Sequence, residues 1–203
     1  MSTPDKALPV AGTVVLLRAA DQGFQVLLIR RPDRGSFAGA WVFPGGKVEP
    51  ADRRAGEAES DDARRAGIRE TREEVGLAID DLVPLSQWRP PAEAPTRIRT
   101  WFFLASAPDD EPVPSADEVA EIAWVSPAEA LARHGAGEWA LFPPTWITLH
   151  QLTGFVDAES ALSSAGVPQL FQTRVLDTDA GRAFAWEQGQ LEAGTLPWRF
   201  VPS

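Results

Sequence analysis

The chain has 203 residues, 44% of them hydrophobic and 24% charged, which is globular composition at the length of one domain with extensions. Its formal net charge of −10 argues against a protein whose main task is holding nucleic acid or an anionic membrane, while a small anionic substrate stays open because a divalent cation reverses the local field. With no cysteine and only His134 and His150, disulfides, thiolate zinc sites, iron–sulfur clusters and His-rich metal centres are excluded.

Residues 1–10 have no long apolar core, so they do not read as a secretory signal. No apolar run nears the ~18 residues that span a bilayer, and the expectation is a soluble, cytoplasmic protein. Pro9–Leu17 and Phe24–Ile29 read as neighbouring strands across Asp21-Gln22-Gly23. Trp41–Phe43 is a short strand stopped by Pro44-Gly45-Gly46, and residues 47–60 read as a loop or frayed helix. A helix begins near Ser60 as N-cap, with Asp61 and Asp62 at the positive end of its dipole, and stops at Gly76.

Val83–Trp88 and Ile98–Ser106 are strand-like and flank a Pro-rich loop; an acid-rich loop from Pro108 to Glu118 leads into a strand over Val119–Val125. Ser126-Pro127-Ala128-Glu129 is a capping box opening a helix to about Arg133, which puts His134 just past a helix end, where a cation suits the dipole. Helices follow over Thr145–Leu152 and Asp157–Ser164, while residues 168–203 show weak periodicity. Strands interrupted by one long helix and followed by short ones predict an α+β or α/β sandwich, divided into a domain over 1–155 and a C-terminal, helical extension over 156–203.

The chemistry concentrates in Arg69-Glu70-Thr71-Arg72-Glu73-Glu74-Val75-Gly76. On a helix Glu70, Glu73 and Glu74 fall at i, i+3 and i+4, and like charges at that spacing cost about 0.2–0.5 kcal/mol per pair unless something positive sits there. Mg²⁺ takes a few carboxylates, keeps waters and binds substrate phosphates. Arg69 is suited to hold a neighbouring carboxylate and fix its rotamer. Ala63, Ala66 and Gly67 let the helix lie close to a sheet, and the Gly45-Gly46 turn lets backbone carbonyls and amides approach an ion or a phosphate.

Gly46 followed by Arg69-Glu70-x-x-Glu73-Glu74-x-Gly76-Leu77 resembles the Nudix box, G-x5-E-x7-R-E-U-x-E-E-x-G-U with U apolar. Asp61 stands in the place of the first Glu, with fourteen residues between it and Gly46 instead of five, and Thr71 takes an apolar position. The likeness covers residues 9–155. It implies a Nudix-type α/β/α sandwich with a mixed sheet and metal-assisted hydrolysis of a pyrophosphate. One to three Mg²⁺ or Mn²⁺ ions are expected on Glu70, Glu73 and Glu74 with the Gly46 carbonyl. Glu118, six residues before Trp124, resembles a loop acid of some family members, so Glu118 or Glu70 is the candidate base and Arg69 supports catalysis.

Arg30, Arg31 and Arg34 are candidate phosphate ligands, and Trp41 or Trp101 a candidate stacking partner for adenine. The long insertion and the run Leu27-Leu28-Ile29-Arg30-Arg31 … Gly39 … Phe43 resemble the coenzyme A diphosphatase branch, so CoA or acyl-CoA is the first expected substrate. ADP-ribose or dinucleotide hydrolysis is second, and a catalytically weak nucleotide-binding sensor module is the rival from another class. A small nucleoside diphosphate derivative is the expected partner, with no nucleic acid or membrane; homodimerisation is a family expectation.

Overall fold

The computed structural model describes residues 8–35, 37–179 and 181–203. Strands β1 (Val10–Ala19) and β2 (Phe24–Arg30) are apolar on both faces, which requires cover on both sides. Val15, Leu17, Val26 and Leu28 enter one core; Val14, Leu16, Leu27 and Ile29 enter the other. The remaining strands of the main sheet are β3 (Trp41–Val42), β4 (Gly45–Lys47), β5 (Val83–Arg89), β6 (Arg99–Ser106), β7 (Glu121–Val125) and β8 (Gln169–Gln172). They run β3-β2-β1-β6-β5-β8, with β4 also on β1 and β7 also on β2. The sheet is mixed: β1 pairs parallel to β6 and β5 to β8, and the other pairs are antiparallel.

Helix α1 (Glu59–Val75) covers one face, and α2 (Pro127–Gly135), α3 (Pro143–Leu152) and α4 (Ala158–Ser164) cover the other. The α/β/α sandwich is therefore present. Ser126 caps α2 by accepting from the Glu129 amide, and Asp157 caps α4 from Ser160. The N-cap of α1 is Ala58, two residues before the expected Ser60, and Gly76 ends that helix at φ 71°.

The tail differs from the helical extension expected of it. Beyond α4 and β8 it forms a four-stranded antiparallel sheet of β9 (Arg174–Thr178), β10 (Gly181–Trp186), β11 (Gly189–Glu192) and β12 (Arg199–Pro202). Its strands are four to six residues long, too short for alternation to stand out. Trp186 and Leu191 join the same core as α3. His134 also differs: it lies inside α2, buried against Trp198, where burial lowers its pKa and keeps it neutral. Among the described residues no helix is long and apolar enough to cross a membrane.

Candidate active site

Close approach of α1 to the sheet builds the site. A Cβ on Gly12 of β1 would stand 1.8 Å from the Ala63 carbonyl oxygen, and one on Gly67 would stand 2.9 Å from Val14 Cγ2. Small residues on both surfaces thus let helix and strand touch through backbone, and strand β4 lies beside β1 through Gly12↔Gly46 and Thr13↔Gly45. The Gly45-Gly46 segment is thereby held under the C-terminal half of α1.

Two glutamates meet that bend. Glu74 is 1% exposed; its Oε2 accepts from the Gly45 amide at 2.8 Å, and its Oε1 pairs with Arg31 Nη1. Burial pushes its carboxyl up to about 7, against the pull of Gly45 and Arg31 and with a further push from Glu70 and Glu118. The Glu70 carboxylate lies where a Cβ of residue 46 would stand, 2.2 Å from its Cδ. Burial raises the Glu70 pKa too, opposed by Arg69 and reinforced by Glu73 and Glu118.

Glu118 enters through its loop. The Val113 amide donates to the Val75 carbonyl and the Ser115 amide to the Glu74 carbonyl, both at 2.8 Å, so the acid-rich loop caps the end of α1. The Glu118 side chain stays exposed, close enough to raise the pKa of both Glu70 and Glu74.

Glu73 does not join them. Adjacent helical residues point about 100° apart, so Glu73 and Glu74 cannot face the same bend. Glu73 is 51% exposed and pairs with Arg69 Nη1 at 2.8 Å. Arg69 is the hub: Nη1 also donates to Glu70 at 2.9 Å, and Nη2 to the Lys47 carbonyl and Asp52 Oδ2 at 3.0 Å each. Its hydrogen bond to Asp52 leads the causes that raise its pKa, so it stays charged. Arg31 is on Glu74, Arg34 Nη2 donates to the Asp117 carbonyl at 2.9 Å, and Arg30 pairs with Glu121 and Asp33.

Trp41 is not available to a base. It is 5% exposed, and Trp139 stacks on it at 4.0 Å. The Trp101 indole donates to Glu59 at the first turn of α1.

Glu70, Glu74, Glu118 and the Gly46 backbone offer hard oxygen ligands carrying more negative charge than Arg31 and Arg69 offset, a donor set that fits Mg²⁺ or Mn²⁺. Among the described residues no three His, Cys, Asp or Glu side chains are drawn together closely enough to hold a metal ion, and arginine nitrogens engage one oxygen each of Glu70 and Glu74.

A family model, the NUDIX domain, matches residues 8–144. The chain belongs to the NUDIX family. The CTP pyrophosphohydrolase of Escherichia coli (strain K12) is 33% identical over 109 residues, 53% of this chain and 70% of that protein. A NUDIX hydrolase from Alicyclobacillus acidocaldarius superposes with a TM-score of 0.71 at 23% identity, covering 80% of this chain and 99% of that one. A MutT NUDIX hydrolase from Burkholderia pseudomallei does so at 0.54 and 26% identity, over 72% and 98%. This NUDIX chain is a hydrolase acting on pyrophosphate bonds.

The structure also relocates one element of its NUDIX box. Asp61 sits in the first turn of α1 and makes no ion pair among the described residues. The acid that meets Arg69 is buried Asp52, in a short 3-10 turn at Pro50–Asp52. Burial would raise its pKa, but the Arg69 hydrogen bond, the Glu49 amide and the nearby arginines lower it on balance. Asp52 follows Gly46 after the five-residue spacing of the box, and that spacing, kept with Asp in place of Glu, is the sequence signal for it.

Proposed function

We propose that this NUDIX chain hydrolyses nucleoside triphosphates or related nucleoside diphosphate derivatives, with Mg²⁺ or Mn²⁺ held by Glu70, Glu74 and the Gly46 carbonyl, and with Glu118 as the base beside them. The observation that carries this reading is the pair of carboxylates, Glu70 and Glu74, seated on the Gly45-Gly46 bend with Glu118 in electrostatic reach. A divalent cation bound there supplies Lewis-acid neutralisation of the pyrophosphate.

The chain's own residues do the rest. Arg69 fixes the Glu70 rotamer through the pairs described above. Glu118, whose exposed side chain has no hydrogen-bond partner among the described residues, accepts the proton of the attacking water as its oxygen bonds to phosphorus and the bridging P–O bond breaks. Arg31 and Arg34 hold phosphate oxygens, an arrangement in which positioning and charge supply most of the catalysis. Arg30, engaged with Glu121 and Asp33, is outside this set.

The relative named as a CTP pyrophosphohydrolase favours nucleoside triphosphates as substrate. The insertion after Asp52 favours CoA or acyl-CoA as the second reading. Turnover of CTP, other nucleoside triphosphates, CoA, acyl-CoA, ADP-ribose and NADH with Mg²⁺ ranks them. In the same assay Glu74→Gln is expected to lose several orders of magnitude in kcat with folding intact. Near-wild-type turnover by Glu74→Gln, or no turnover of any substrate by the parent, overturns the proposal.

A further inference from the structure

Two partly exposed aromatic rings, Phe37 in the loop that also carries Arg31 and Arg34, and Phe142 at the N-cap of α3, lie outside both cores. Phe37 is 38% exposed and Phe142 is 39% exposed, and they meet edge to face at 4.8 Å. Phe37 also has φ 64°, a left-handed conformation that a bulky side chain rarely adopts. Such outliers persist where the surroundings impose them, and they gather at ligand clamps.

The surroundings here are specific. Phe37 lies in the loop between β2 and β3, which starts at Arg31 on Glu74 and passes Arg34 on the Asp117 carbonyl beside Glu118. The Gly39 amide donates to the Pro32 carbonyl and the Ala40 amide to the Phe37 carbonyl, closing the loop on itself. The Trp41 amide then donates to the Ala140 carbonyl, tying β3 to the linker that carries Phe142. Phe37 is six positions after Arg31, at most about 20 Å of extended chain and less in a closed loop. That is on the scale of one extended nucleotide. Trp41, at the start of β3, is itself fixed by stacking on Trp139 at 4.0 Å.

We infer that Phe37, backed by Phe142, is the stacking platform for the base of a nucleotide whose phosphates lie at Arg31 and Arg34. The inference rests on the proposed function and adds the residue that selects the organic end of the substrate. A flat π-face binds any base and gives tolerance for base identity, while the arginines and carboxylates handle the phosphates.

The test uses Phe37→Ala, Phe37→Leu, Phe37→Trp and Phe142→Ala in the full chain, with CTP and ADP-ribose as base-bearing substrates and 5-phosphoribosyl 1-pyrophosphate as a base-free one. Expected is a roughly tenfold or larger fall in the kcat/KM ratio of base-bearing to base-free substrate for Phe37→Ala, carried by KM. Phe37→Leu behaves likewise, Phe37→Trp restores the ratio, and Phe142→Ala gives a smaller fall. An unchanged ratio in Phe37→Ala overturns the inference. So does full function in Phe37→Leu, which marks an apolar tail as the occupant. Binding of CMP and AMP, followed by tryptophan fluorescence, reads the platform without hydrolysis. Binding that Phe37→Ala abolishes supports the platform even if the parent turns over nothing, in which case only the hydrolytic reading fails. A parent that neither binds nor cleaves any nucleotide sinks both.

Discussion

Substituting alanine for Gly46 separates the chemistry of this site from its folding. The new Cβ would stand 2.2 Å from Glu70 Cδ. Contact between such atoms needs roughly 3.5 Å, so the Glu70 carboxylate must move by about 1.3 Å. Gly46 lies outside the left-handed region, so alanine strains no backbone, and the obstructing group is the free end of a flexible side chain. The fold therefore tolerates the change, with Tm expected within ~3 °C of the parent, about 1 kcal/mol at this size. The chemistry does not tolerate it: a displacement of about 1 Å in a positioned group costs on the order of 10²-fold in rate. Gly12→Ala is the contrast, because there the obstacle is the Ala63 backbone at 1.8 Å, and α1 itself must lift from the sheet. That variant is expected to lose more than ~3 kcal/mol, or about 6–12 °C in Tm. Thermal unfolding and Mg²⁺-dependent phosphate release read the two quantities. Gly46→Ala with unaltered turnover would show that the place of Glu70 on the bend is irrelevant to catalysis. Gly46→Ala that unfolds as readily as Gly12→Ala would show that the bend is wedged against backbone.

Three further outcomes follow from the same geometry. Glu73→Gln should cost only a few fold in kcat, whereas Glu74→Gln is nearly inactive; equal losses would return Glu73 to the metal set. Asp52→Ala leaves Arg69 without the partner that tops the causes of its raised pKa, and a loss of roughly 2–3 kcal/mol by chemical denaturation is expected together with a fall in kcat as Glu70 loosens; a stable, fully active variant would disprove Arg69 as the hub. Burial lowers the pKa of both His134 and His150 below 6.5, so each contributes stability that is present above that pH and is lost as pH falls through the lowered value. Tm should therefore drop on the acid side of pH 6.5, with a shallower slope in His134→Asn; a slope unchanged by that substitution would assign the acid loss to other groups.

Much of the fold was readable because burial on both faces leaves a dense signal. The apolar runs of β1 and β2, the Ser126 cap and the Gly76 stop all mark their elements within a residue or two. The tail was not readable, since its strands draw their stability from packing Trp186, Leu191 and Phe200 onto a core built elsewhere in the chain. At the site, residue type and helical spacing placed Glu70 and Glu74 on one face. The same spacing grouped Glu73 with them, because i+3 and i+4 are both neighbours of i, although they lie on opposite sides of it. Trp41 illustrates another limit: an indole before a glycine turn reads as a pocket wall until Trp139, almost a hundred residues away, is found stacked on it.

The insertion shows why the two halves of the box must be located by contact and not by count. Sixteen residues, 53–68, separate Asp52 from Arg69 where the motif has seven. The first half, Gly46 to Asp52, keeps its spacing, and the second, Arg69 to Gly76, keeps its own, so all nine extra residues fall between them. They are absorbed by the exposed turn at 53–58 and by the first turns of α1, where Arg65 ties back to the Asp52 carbonyl at 2.6 Å and to Glu57. Lengthening a surface loop costs little chain entropy, about 0.6 kcal/mol per doubling. Displacing either half would break the Arg69 contacts to Lys47 and Asp52. An insertion is thus tolerable only at a place where it leaves Gly46 against Glu70 and Asp52 against Arg69, and those two contacts, unlike the residue count, define the site.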